Sequence, residues 1–284
     1  MTGESSRNPQ SFAAPGRRRE RLDLSGTQVV VAGDWHGSRT AGRDVIERAA
    51  TGGSRVVLHI GDLNVPALGA PSITKALDRA CARTGVVLLV SPGNHDNWDR
   101  IDAAPLDDAG MHVLGRNVRA LPRGARFEIA GRRFGALGGA VSVLGRLIRG
   151  ETWWPQEAIT DEHVRLLGTA PLDVLLTHDA PAGVPLSSGY DPPADLVAEA
   201  DELRARLLRA VQITRPRLVF CGHWHTRRIY DQRVDDETTT TVHVLNREHT
   251  VGNAILLDLT TLDVAPLPAA AGGSNDLHAP HQLG

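Results

Sequence analysis

The sequence predicts one α/β domain built on a mixed sheet or on two sheets. Three observations predict it. Short apolar runs alternate with helical patterns as far as residue 90, the rhythm changes to short strand-like segments after residue 110, and no compositional break divides the interior.

In chain order, 28–32 is an apolar run ending at Gly33-Asp34, which reads as a buried strand. A helical pattern follows over 39–50. Residues 55–60 form a second strand ending in Gly61-Asp62, 73–83 a second helix and 86–90 a third strand that runs into Ser91-Pro92-Gly93-Asn94-His95-Asp96. Beyond residue 110, 126–130 and 133–137 are antiparallel strands turning at Gly131. Thr160, with His163 three positions on, caps a helix over 161–167. A strand at 173–177, an amphipathic helix over 196–211 and a strand at 218–221 come next, followed by strand-like segments at 227–234, 239–245 and 254–259. Polar, Ser-, Pro- and Gly-rich composition marks 1–25 and 263–284 as flexible tails around a domain spanning 26–262.

Composition excludes several classes. At 284 residues the chain can bury a large core, and 41% hydrophobic with 23% charged residues is ordinary for a globular protein. A net charge of −2 gives no global pull toward nucleic acid or an anionic membrane. Lys75 is the only lysine, a bias better ascribed to codon usage than to phosphate recognition. Cys81 and Cys221 are too few for a disulfide scaffold and form no Cys-x-x-Cys pair. No apolar run is long enough to span a bilayer, and Arg17-Arg18-Arg19 is followed by no apolar segment of a secretory signal. A cytoplasmic protein is the expectation.

Five polar clusters stand directly after predicted strands: Gly33-Asp34-Trp35-His36, Gly61-Asp62, Gly93-Asn94-His95-Asp96, Thr177-His178-Asp179 and Gly222-His223-Trp224-His225. Carboxyl ends of strands in α/β sheets open into a common crevice, so these residues can converge. Each cluster alone is weak: Gly-Asp is a common turn, and a single histidine at a strand end is more often structural than a ligand. Chance does not account for all five in this order. Mixed imidazole and carboxylate ligands suit zinc, manganese or iron. Two such cations bridged by a carboxylate lie about 3.5–4 Å apart, a spacing suited to in-line displacement at phosphorus.

These residues resemble the metallophosphoesterase superfamily, also called calcineurin-like phosphoesterases, whose pattern is Asp-x-His, Gly-Asp, Gly-Asn-His-Asp/Glu, His and Gly-His-x-His. The resemblance spans about residues 28–260. It implies a two-sheet β-sandwich flanked by helices and a phosphoester hydrolase, monoesterase or diesterase, that uses two divalent metal ions (manganese, iron or zinc). By it, Asp34, His36, Asp62 and His225 would hold one metal. Asp62 would bridge to a second, completed by Asn94, His178 and His223, and His95 would be the general acid as a metal-activated hydroxide attacks phosphorus. A 3′,5′-cyclic nucleotide phosphodiesterase and a metal-binding scaffold without turnover are the alternatives.

Two departures bear on subfamily. The acidic residue and arginines of the protein serine/threonine phosphatases are missing from Gly61-Asp62-Leu63-Asn64-Val65-Pro66, and Pro92 precedes Gly93. Val65 stands where the superfamily places the partner of the catalytic histidine, which leaves Asp96 as the nearest group to orient His95. The segment from Gly138 to Pro155 resembles an insert of some bacterial members. Its Arg146 or Arg149 is either a phosphate clamp or part of a solvated turn. Trp35 and Trp224 either stack on a substrate or pack around the site, and Asp179 is a candidate second-layer partner of His178. A small-molecule or nucleotide phosphoester is the expected substrate. Nucleic acid is not favoured without a basic stripe, and no membrane partner or oligomeric state is indicated.

Overall fold

The computed structural model describes residues 24–66, 72–143, 148–187, 189 and 191–269. Strand β1 (Gln28–Ala32) leads to helix α1 (Arg39–Thr51), β2 (Val56–His59), α2 (Ile73–Thr84) and β3 (Val87–Val90). A short helix α3 (Trp98–Asp102) precedes β4 (His112–Val113), β5 (Val118–Ala120) and the hairpin β6 (Ala125–Ile129) to β7 (Arg132–Leu137). Then come α4 (Asp161–Leu167), β8 (Val174–Thr177), α5 (Ala194–Thr214), β9 (Leu218–Cys221), β10 (Arg228–Arg233), β11 (Thr239–Val244), β12 (Ala254–Asp258) and β13 (Val264–Pro266).

The strands form two sheets, ordered β13-β12-β1-β2-β3-β5-β4 and β10-β11-β9-β8-β7-β6. Both have parallel centres: β1, β2, β3 and β5 run together in one, and β7, β8, β9 and β11 in the other. Antiparallel strands close the edges.

Alternation along the strands explains the layering, because successive side chains point to opposite faces. Val29 and Val31 of β1, Leu89 of β3, Val174 and Leu176 of β8 and Phe220 of β9 fill the core between the sheets. The intervening Val30, Leu88 and Val90 pack outward against Val45 and Ile46 of α1 and Leu77 and Cys81 of α2. On the far side, Leu175 and Val219 meet Leu203 and Leu207 of α5 and Val164 of α4. Strands covered on both faces read as unbroken apolar runs. The expected helix-flanked two-sheet sandwich, in one domain, is the observed fold.

Local signals set the helix ends. The Ser38 and Ser72 side chains accept from Ala41 N and Lys75 N at the starts of α1 and α2, and Gly85 closes α2 in the left-handed region. His163 Nδ1 accepts from Thr160 N at 3.0 Å, capping α4.

The C-terminal boundary is corrected. Val264–Pro266, within the stretch expected to be a tail, pairs with β12 as an edge strand, and Leu267 is buried against the outer core. Alanine and proline hid this strand; an edge tolerates proline because one side of its backbone needs no partner. The tail expected over 1–25 lies outside the described residues except for Leu24 and Ser25, and that over 263–284 lies outside them beyond residue 269. No described helix is long and apolar enough to cross a membrane.

Candidate metal centre

All five sequence clusters follow parallel strands at one end of the sandwich: after β1, β2 and β3 in one sheet and after β8 and β9 in the other. Backbone hydrogen bonds lace the turns together. Asp34 N donates to Gly61 O, His36 N to Asp62 O and Gly222 N to His178 O, each at 2.9 Å. The turns carry strain on their functional residues. Asp34, His36, Asp62, Asn64, His223 and His225 all have positive φ, between 42° and 66°. Such a conformation is costly for non-glycine residues and clusters where geometry serves function. Glycine matters here for a second reason, since a Cβ on Gly222 would overlap Asp34 Oδ2 and one on Gly93 would overlap Asp62 Oδ1.

Two carboxylates lie at the centre, both buried. Asp34 Oδ1 accepts from His223 N at 3.0 Å, while its Oδ2 is buried without a partner. Burial raises the Asp34 carboxyl to about 7. Burial also pushes Asp62 upward, but the His178 charge and hydrogen bond outweigh it and hold this carboxyl well below the usual range. Asp62 Oδ1 accepts from His95 N at 2.9 Å.

The surrounding groups turn their lone pairs inward. The Ile60 carbonyl only accepts, so His178 Nδ1, 2.8 Å away, carries the proton. Nε2 then presents its lone pair to Asn94 Oδ1 at 3.1 Å and Asp62 Oδ1 at 3.2 Å. The Asn94 orientation follows from a chain of bonds. Ser142 Oγ donates to the buried Glu157 carboxylate at 2.6 Å, so it accepts from Asn94 Nδ2 at 3.1 Å and turns Oδ1 toward His178. His36 Nδ1 donates to Glu248 Oε2 at 2.8 Å, and His36 Nε2 faces His225 Nε2 at 3.2 Å and Asp62 Oδ2 at 3.5 Å.

Acceptor facing acceptor in a buried site calls for a positive charge between them. A proton can take that place: burial lowers the basicity of His178 and His36, yet Asp62 overrides it and raises them to about 10 and about 9. A divalent cation fits the same donors, and the unpartnered Asp34 Oδ2 adds one more. Asp34, His36 and His225 offer ligand atoms all within 4.8 Å of one another, as do Asp34, Asp62 and His178.

His223 belongs to neither of those groups. Its ring packs edge-on against His178, with centroids 5.3 Å apart. His95 is half-buried and lines the cleft above the centre with Asp62, Asn94, His223 and His225. The cleft has a volume of about 780 Å³, and Val143, Leu186, Val197 and Trp224 give it an apolar wall.

Several sequence expectations change. Asp96 does not orient His95: its carboxylate accepts from Gly93 N, Val65 N and Leu63 N, tying the second and third loops together. Val65 is buried in the outer core. Asp179 accepts from Trp224 Nε1 at 2.8 Å, and His178 is held by Ile60 instead. Trp35 is fully buried with its ring 4.4 Å from His59, a packing role, whereas Trp224 walls the cleft. His223 and His225 both stand on positive-φ turns. Arg146 lies outside the described residues, and Arg149 sits in a bridge with Trp153.

Sequence reasoning missed Glu248 and Arg247, on the loop after β11, and the Ser142–Glu157 pair. Arg247 lines the cleft, and its guanidinium has no partner among the described residues. For Ser142, Arg247 and Glu248 the only sequence signal was position after a strand, β7 or β11; Glu157, in a 3-10 turn over Pro155–Glu157, carried none.

Fold and site together define a hydrolase of phosphoesters. The chain belongs to the calcineurin-like phosphoesterases, whose family model matches residues 27–227. Among solved structures, the protein TT1561 of Thermus thermophilus is 13% identical with a TM-score of 0.54, over 85% of this chain and 99% of that one, a likeness of fold. A dimetal phosphatase from Danio rerio is 11% identical over 82% of this chain and 92% of its own, with a TM-score of 0.49. No curated protein matches the sequence.

Proposed function

We propose that the protein hydrolyses small-molecule or nucleotide phosphoesters with two divalent cations held by Asp34, His36, Asp62, Asn94, His178, His223 and His225. The observation that carries this reading is the inward convergence of His178 Nε2, Asn94 Oδ1 and Asp62 Oδ1, acceptors that face one another in a buried site. Asp62 is the bridging candidate because its two oxygens face different histidines: Oδ1 faces His178 and Oδ2 faces His36. Imidazole in the donor set favours manganese, iron or zinc over magnesium. When bound, such a pair neutralises phosphoryl charge and makes hydroxide available near neutral pH.

The chain's own residues do the rest. Asn94 is fixed by Ser142 and Glu157 before substrate arrives, so it needs no reorganisation. As a new P–O bond forms from water and the bond to the leaving oxygen breaks, His95 delivers a proton to that oxygen. Arg247 at the cleft mouth binds phosphoryl oxygens, the role first considered for Arg146 and Arg149. A cleft of about 780 Å³ with an apolar wall suits a small organic leaving group.

The test is hydrolysis of p-nitrophenyl phosphate and its bis ester with manganese, comparing the parent with Asp62→Asn. Loss of turnover in the variant is expected. Equal turnover would contradict the two-cation reading, and metal binding with no hydrolysis of any phosphoester would favour the scaffold alternative.

A further inference from the structure

The loop that follows β11 is absent from the five clusters, yet it touches the centre twice through one residue. Glu248 N donates to Asp34 O at 3.0 Å, bracing the turn that holds Asp34 at a φ of 53°. The Glu248 carboxylate accepts a hydrogen bond from His36 Nδ1 at 2.8 Å. Carboxylates accept only, so this bond makes His36 Nδ1 the N–H, and in the neutral ring, the form that can ligate a cation, Nε2 carries the lone pair toward Asp62 and His225. Both side chains are largely shielded, His36 at 22% and Glu248 at 19% exposed, so water competes weakly for either partner.

We infer that Glu248 is a positioning residue for the cation site formed by Asp34, His36 and His225, setting the tautomer and ring orientation of His36. The inference rests on the two-cation reading. Its consequence is asymmetric. Asn94, His178 and Asp62 are oriented by Ser142, Ile60 and His95 N, none of which involves Glu248. Loss of the carboxylate therefore weakens one cation site and spares the other.

The experiment is calorimetric titration of the metal-free full-length protein with Zn²⁺ alone, for the parent, Glu248→Ala and Glu248→Gln, with histidine ¹⁵N NMR of the loaded proteins. The parent should bind two ions. Glu248→Ala should weaken one binding step by roughly 10–100-fold, as losing an outer-layer partner of a ligating histidine does, and leave the second within error. Glu248→Gln, whose amide oxygen still accepts from Nδ1, should fall between the two. His36 should be purely Nδ1–H in the parent and mixed in the alanine variant. If the alanine variant does not fold, the near-isosteric glutamine variant carries the test, with a severalfold loss in one step. Two unchanged steps in either folded variant, or equal losses in both, overturn the role of Glu248 while leaving the phosphoesterase reading intact. A parent that binds no ion overturns both.

Discussion

At the scale of single residues, the centre depends on atoms whose hydrogen-bond roles are forced by their neighbours. His178 has one tautomer open to it because Ile60 offers only a carbonyl, and Asn94 one amide orientation because Ser142 must donate to Glu157. His95 differs: among the described residues its hydrogen bond is made by its backbone, to Asp62, while its ring stands edge-on to that of His36 at 6.3 Å and lines the cleft. That freedom fits a proton donor. His95→Ala should lower kcat by roughly 10²–10⁴-fold for poor leaving groups and far less for p-nitrophenolate, with metal content unchanged. Equal losses for all leaving groups, measured across a series of substituted phenyl phosphates, would count against the role. Arg247→Ala should instead raise KM about tenfold with little change in kcat, equivalent to about 1.4 kcal/mol for a charge-assisted contact. An unchanged KM would remove Arg247 from substrate binding.

At the scale of elements, strands covered on both faces were legible as apolar runs, and the residues closing them were legible as site candidates. Other features were not. β4 and β5 are too short to show a period, and β13 is disguised by alanine and proline. Val65 drew attention as a missing partner, but nothing in the sequence could show that Asp96 braces three backbone amides. Glu248 escaped because its value lies in contacts with Asp34 and His36, the latter 212 positions away. Two elements also set a pH dependence. In the β10–β11 hairpin, His243 Nδ1 accepts from Arg227 at 3.1 Å, and burial followed by the Arg227 charge lowers its pKa to about 4. At the α4 cap, burial and then Arg123 lower His163 to about 4. Both histidines bind protons more readily when unfolded, at about 6.5. Their stabilisation is complete above that value and is lost as pH falls toward 4. Denaturant unfolding at pH 7.5 and pH 5 should show lower stability at pH 5, with a smaller drop in His163→Gln and His243→Gln. Equal drops in parent and variants would contradict this assignment.

At the scale of the whole molecule, the sandwich makes the centre by bringing parallel strands from two sheets to one end. β1, β2 and β3 supply Asp34, His36, Asp62 and Asn94, while β8 and β9 supply His178, His223 and His225. Neither sheet holds all seven proposed donors, so the proposed cation pair would belong to the packed sandwich and not to any local motif. Sequence order alone could list these residues, but the packing of Phe134, Phe220 and Leu58 between the sheets and the hydrogen bonds between the turns set their distances. Anomalous diffraction from crystals grown with manganese tests this most directly. Two peaks about 3.5–4 Å apart are expected, on either side of Asp62 and contacted by residues from both sheets. A single peak, or two peaks in separate places, would contradict it.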